Sequence, residues 1–99
     1  AIKVGCPDNI KFAVVKDKIG GEIKKLYPTA KYVEIDGVRM DTKEEMMIVR
    51  ASQNGPYLTI KFEGKTQEKY DQLKNQVGKI LRGLKEVDFK SGVNVSSLD

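Results

Sequence analysis

Apolar residues recur along this 99-residue chain at two spacings, and the order of those spacings leaves few folds open. A period of two marks a half-buried strand, whereas steps of three and four mark one face of a helix. Ile2 and Val4 alternate with Lys3 and Gly5 as a short strand, with Cys6 on the apolar parity. After Pro7-Asp8, Phe12, Val15, Ile19, Ile23 and Leu26 follow at helical spacing, and Asp8 is placed to cap free backbone N–H groups. Gly20-Gly21 interrupts that stripe and is expected to kink or split the helix, which Pro28 ends. Residues 32–35 and 38–41 flank Asp36-Gly37 and read as a hairpin, because a type I′ turn needs φ > 0 at both central positions. Residues 42–45 form a polar turn, and 46–49 are apolar on both parities, as in a central strand. Leu58, Ile60 and Phe62 alternate strictly with Thr59, Lys61 and Glu63. Thr66 then caps a last helix whose stripe is Tyr70, Leu73, Val77, Ile80, Leu81 and Leu84. The expectation is an α+β domain over residues 1–88: a four-stranded, mainly antiparallel sheet with two helices on one face. Residues 89–99 lack periodicity and are expected as a flexible tail.

Composition narrows the chemistry. With 39% hydrophobic and 32% charged residues the chain is globular in character, long enough for one modest core. No stretch approaches the roughly 20 apolar residues of a membrane helix. The chain opens at Ala1 in an apolar-alternating run without a signal-like apolar core, as a piece of a longer protein would. It has no His and one Cys, which excludes a structural zinc site, an internal disulfide and His-based acid–base catalysis, and suits a reducing, cytoplasmic setting. The net charge of +4 divides as +4 over residues 1–31, −2 over 32–64 and +3 over 65–90, with Asp99 the remainder. The excess is almost all Lys on the two helical segments, the ordinary solvated face of an amphipathic helix.

Residues 50–56 depart from ordinary turn punctuation. Arg50 offers a planar fork of donors for a phosphate, Ser52 a hydroxyl, and Gln53 and Asn54 amide donors. Gly55 is expected to let successive N–H groups turn inward as a nest, and Pro56 fixes the exit. No Asp or Glu occurs in this segment, although the surrounding region is net negative. A polar hairpin loop with Asn54-Gly55 as its tight turn is the alternative reading.

From Arg50-Ala51-Ser52-Gln53-Asn54-Gly55-Pro56 through Tyr57-Leu58-Thr59-Ile60-Lys61-Phe62-Glu63, the chain resembles the phosphate-binding loop and following strand of the α-D-phosphohexomutases. The likeness is to the phosphomannomutase/phosphoglucomutase branch, whose C-terminal domain carries Arg-x-Ser-(Gly/Asn)-Thr-x-Pro. Asp36-Gly37-Val38-Arg39-Met40-Asp41 matches that family's Asp-Gly-Val-Arg-hydrophobic hairpin, and the resemblance covers roughly residues 1–87. It implies a four-domain parent that moves a phosphoryl group between the 1- and 6-positions of a hexose, using a phosphoserine, Mg2+ and a hexose 1,6-bisphosphate. The fourth domain is similar in fold to a TATA-binding-protein half-repeat and supplies no nucleophile, metal ligand or cofactor site. On this mapping Arg50, Ser52, Gln53 and Asn54 grip the phosphate that is not reacting. The implied partners are a phosphorylated hexose and the three other domains, not nucleic acid or membrane. The domain alone would bind phosphosugar weakly and would not be catalytic. Asn54 stands where the family has Thr, and Gly55 where relatives often have Thr or Glu.

Other features have plainer readings. Glu44-Glu45 are adjacent on an extended chain and point apart; Met46 and Met47 suit sheet packing. Cys6 lies on a buried parity without a base nearby. Tyr57 suits either a sheet surface or a sugar stack, and Arg39 either a site rim or solvent. The rival function is a small basic α+β nucleic-acid-binding module. Glu34, Asp41 and Glu63 on the expected strands oppose it, as does the lack of paired strand aromatics or a Gly-x-x-Gly clamp.

Overall fold

The structure is a computed structural model that describes residues 2–98, with Ser91 described by its backbone alone. The chain runs β1 (Ile2–Gly5), α1 (Lys11–Ala13), a π-helical stretch (Val14–Ile19), α2 (Gly20–Leu26), β2 (Lys31–Val33), β3 (Val38–Asp41), β4 (Glu45–Ala51), β5 (Tyr57–Gly64), α3 (Gln67–Arg82), β6 (Asp88–Val93) and a 3-10 turn (Val95–Leu98). The strands form one sheet in the order β2-β3-β4-β5-β1-β6, every pair antiparallel. The α+β class is as expected, but the sheet has six strands rather than four.

Alternation in β5 places Leu58, Ile60 and Phe62 inside while Lys61 and Glu63 stay exposed. The register aligns Val38 with Val49, Met40 with Met47, Val49 with Ile60 and Val4 with Leu58, so buried side chains stand in rows across one face. On that face α3 lays Leu73, Val77 and Leu81. Its start is capped as expected: the Lys69 N–H donates to Thr66 Oγ1 at 3.1 Å. In β4, Met47 and Val49 are fully buried, whereas Met46 and Ile48 are half-covered on the other face. Among the described residues no helix is long and apolar enough to cross a membrane.

The N-terminal helical segment differs from the stripe expected for it. The chain passes through Gly20-Gly21 as helix, and the irregularity lies upstream, where the Gly20 N–H donates to the Val15 carbonyl five residues back. Such a bond adds one residue to a turn and rotates everything before it by about 100° relative to a continuous α-helix. Phe12, in phase with Ile19 on an unbroken helix, is thereby turned out and left 64% exposed, while Lys11 and Val14 turn in. Gly20 permits the close pass of this segment over β3, since a Cβ there would stand 3.1 Å from Val38 Cγ2. Nor does Asp8 cap the helix: the cap residue is Ile10, with no side-chain cap bond.

The connection between β2 and β3 is longer than a two-residue turn, and only Gly37 has positive φ, at 118°. The reason is contact with β4. A Cβ on Gly37 would stand 2.2 Å from the Val49 carbonyl oxygen and 3.1 Å from Arg50 Cγ. Residues 89–98, expected as a tail, instead hold most of β6 and the 3-10 turn. β6 pairs with β1 through an irregular register, Lys3 with Val93 and Gly5 with Asp88, so it carries no clean alternation to read. Leu98 is 2% exposed and packs beside Gly78 of α3.

Three substitutions check these placements. Gly37→Ala combines a forbidden φ with a backbone clash and should cost roughly 2–4 kcal/mol in urea unfolding, whereas Gly21→Ala, which meets nothing within 4 Å, should stabilise by about 0.5–1 kcal/mol. Leu98→Ala should cost about 2 kcal/mol; a loss within error would mean the C-terminal turn does not pack on α3.

Candidate functional site: a groove at the β4–β5 loop

β4 ends at Ala51, so Arg50 is held by strand pairing and the loop proper begins at Ser52. The loop is closed from several sides. The Ser52 N–H donates to the Tyr57 carbonyl at 2.9 Å, the Tyr57 N–H to the Gly55 carbonyl at 2.9 Å, and the Cys6 N–H to the Pro56 carbonyl at 2.9 Å. The Asn54 N–H donates to Ser52 Oγ at 3.0 Å. Gly55 does not have positive φ, so the loop is no αR–αL nest. A Cβ on Gly55 would stand 2.8 Å from the Tyr57 ring, and that close approach is what the glycine serves.

Beside this loop lies an open groove of about 680 Å³. Arg50, Ser52 and Gln53 line one wall; Phe12 and Lys16 come from the N-terminal helical segment and 34–37 from the β2–β3 connection. Gly37 packs directly on the Arg50 stem and so sets the distance between two of these walls. Among the described residues neither Arg50 nor Lys16 has a carboxylate partner, whereas Glu34 in the same groove is held by Lys24 at 2.9 Å. Phe12 and Ile35, 64% and 87% exposed, give the groove apolar edges. Of the four residues singled out from sequence, Arg50, Ser52 and Gln53 come together here, and Asn54 does not line the groove.

Beneath the loop sits a residue that sequence reasoning missed. Lys11 is 6% exposed, and its ammonium donates to Asp8 Oδ1 at 2.8 Å, to the Gly55 carbonyl at 3.1 Å and to the Ser52 carbonyl. In a helical-wheel reading Lys11 belongs with the solvated lysines, and only its separation of three from Asp8 signals a partner. Tyr57 does not line the groove: the Lys3 ammonium stands 4.7 Å over its ring, and a Ser52 hydrogen bond, with Lys3 nearby, holds its phenol below the ordinary range. Arg39 pairs with Asp41 through two bonds of 2.8 and 3.2 Å, which lowers the Asp41 pKa, and Arg39 lies outside the groove. Several of the helix lysines are likewise paired, Lys18 with Glu86, Lys25 with Glu22 and Lys69 with Glu44.

The arrangement can bind an anion. It offers a guanidinium, an ammonium and polar loop groups on a strand-anchored frame. Among the described residues no group of three or more Cys, Asp or Glu side chains is placed to hold a metal ion.

No family model matches the chain. Three curated relatives do. It is 31% identical over 85 residues to a phosphoglucosamine mutase of Methanococcus maripaludis, covering 85% of this chain and 19% of that protein. It is 30% identical over 80 residues to a probable phosphoglucosamine mutase of Thermococcus gammatolerans, covering 81% and 18% respectively. A probable phosphoglucosamine mutase of Methanothermobacter thermautotrophicus is 36% identical over 69 residues, covering 68% and 15%. The chain belongs to the phosphohexomutase family and spans less than a fifth of the length of these relatives, as one small domain of such an enzyme would. All three carry the phosphoglucosamine name rather than that of the phosphomannomutase/phosphoglucomutase branch.

Cys6 supplies a check on how tightly the loop end is closed. It is 2% exposed, burial pushes its thiol pKa up, Glu86 adds to the rise and Lys11 opposes it. In the folded chain the thiol should therefore react with a disulfide reagent only at the rate of unfolding, and rapid labelling at neutral pH would show that the β1–loop junction opens.

Proposed function

We infer that this chain is the substrate-phosphate-binding C-terminal domain of a phosphohexomutase and that its ligand is a hexosamine phosphate. The observation that carries the reading is the convergence of Arg50, Ser52 and Gln53 on one groove, with Arg50 unpaired among the described residues. The relatives' names support the sugar class. An amino-sugar phosphate carries both signs of charge, and the groove presents Arg50 and Lys16 together with Asp36. Asn54, outside the lining, acts by bonding to Ser52 and shaping the loop.

The role is to hold rather than to react. A donor set around a phosphate is indifferent to which carbon of the sugar bears it, so one loop can serve a substrate bound in either orientation. Binding energy from that remote phosphate positions the other end for in-line transfer. The phosphoryl transfer, the phosphoserine, Mg2+ and the hexose 1,6-bisphosphate belong to the other domains of a cytoplasmic parent enzyme, and this domain alone is catalytically inactive. A few phosphate contacts without the rest of a cleft give an affinity on the order of millimolar.

A 15N–1H titration with glucosamine 6-phosphate, and glucosamine as control, tests this. The phosphosugar should shift the amides of Arg50, Ser52 and Gln53 while the free sugar leaves them in place, and Arg50→Ala should weaken binding by about tenfold or more. Equal responses to both sugars, or shifts confined to the lysines of α3, would refute the assignment.

A further inference from the structure

We propose that Lys11 is the positioning residue of the anion loop: its buried ammonium turns the Ser52–Gln53 peptide so that the Gln53 N–H faces the groove. The inference rests on the phosphate-binding reading of that groove. An ammonium has three donors, and all three are spent, on Asp8 Oδ1 and on the carbonyls of Ser52 and Gly55. Lys11 is therefore not free to contact a phosphate, and it acts through the backbone.

The backbone consequence follows from peptide geometry. In a planar trans peptide the C=O of one residue and the N–H of the next point in opposite directions. Drawing the Ser52 carbonyl down to a 6%-exposed ammonium therefore aims the Gln53 N–H away from the interior, and Gln53 lines the groove. Among the described residues that N–H has no partner, while the flanking Ser52 and Asn54 N–H groups are bonded within the loop. The second carbonyl held by Lys11, that of Gly55, precedes Pro56, which has no N–H to aim. Lys11 thus also keeps two carbonyl oxygens, which would repel an anion, on the far side of the loop. The π-helical turn rotates Lys11 inward relative to a continuous α-helix, so the helix irregularity and the loop are parts of one device.

Two measurements on the isotopically labelled chain test it. The first is the hydrogen-bond scalar coupling between the Lys11 ammonium nitrogen and the carbonyl carbons of Ser52 and Gly55, recorded before and after saturation with inorganic phosphate. Couplings present in both states are expected; their absence, or their loss on adding phosphate, overturns the proposal, because Lys11 would then be unbound or a direct ligand. The second is a phosphate titration read at the Gln53 amide in the wild type, Lys11→Met and Lys11→Arg. The expected result is binding about tenfold weaker in Lys11→Met, with most of the affinity restored in Lys11→Arg, which keeps a cationic donor. A wild-type loop that responds and a Lys11→Met loop that responds equally would overturn the role of Lys11 and leave the phosphate reading standing. A wild-type Gln53 amide silent to phosphate would overturn both. Should Lys11→Met fail to fold, the couplings in the wild type decide alone.

Discussion

A buried ammonium needs acceptors, and the three that Lys11 finds tie together parts of the chain far apart in sequence: the turn at Asp8, and the start and end of the β4–β5 loop. Removing a charged donor from such a position leaves carbonyls unsatisfied, a larger cost than losing an exposed ion pair. The loop then inherits its shape from below. On the proposed reading its outer surface carries the Gln53 amide because its carbonyls are committed inward, while strand pairing in β4 places Arg50 beside it. The loop exit is closed separately by the Cys6 N–H on the Pro56 carbonyl, and Gly37 sets the facing wall against Arg50.

Much of the scaffold was legible in the sequence because its signals are local. Thr66 caps α3 where a cap was expected, Leu73, Val77 and Leu81 face the core, and strict alternation in β5 sorts inside from outside. The first helix was legible in its existence and misread in its face. Phe12 fits a 3.6-residue period but is exposed, because the π-type bonding shifts the phase upstream of Gly20 and no residue pattern announces it; Leu26, downstream of that shift, is exposed at the last residue of α2. The hairpin at Asp36-Gly37 was placed correctly along the chain, yet its geometry is set by contact with Val49 and Arg50, which lie on another strand. β6 was missed for a similar reason: an edge strand with an irregular register has no period to display.

The candidate site divides the same way. Arg50, Ser52 and Gln53 were readable because polar residues without acids, next to a strand end, have a chemical meaning of their own. Asn54 was grouped with them as an amide donor and by the family motif; in the structure its backbone N–H bonds to Ser52 Oγ and it does not line the groove. Lys11 lay beyond reach, since its role depends on a long-range contact that residue types alone do not encode. A family likeness covering less than a fifth of each relative fits a domain that contributes one part of a shared cleft.

The most direct test of the central claim is a crystal structure of this chain soaked with glucosamine 6-phosphate. The account predicts the phosphoryl group in the groove, its oxygens accepting hydrogen bonds from the Arg50 guanidinium and the Gln53 N–H, with Lys11 still bound to the Ser52 and Gly55 carbonyls. A phosphoryl group seated elsewhere, or one that draws Lys11 out from under the loop, would contradict it.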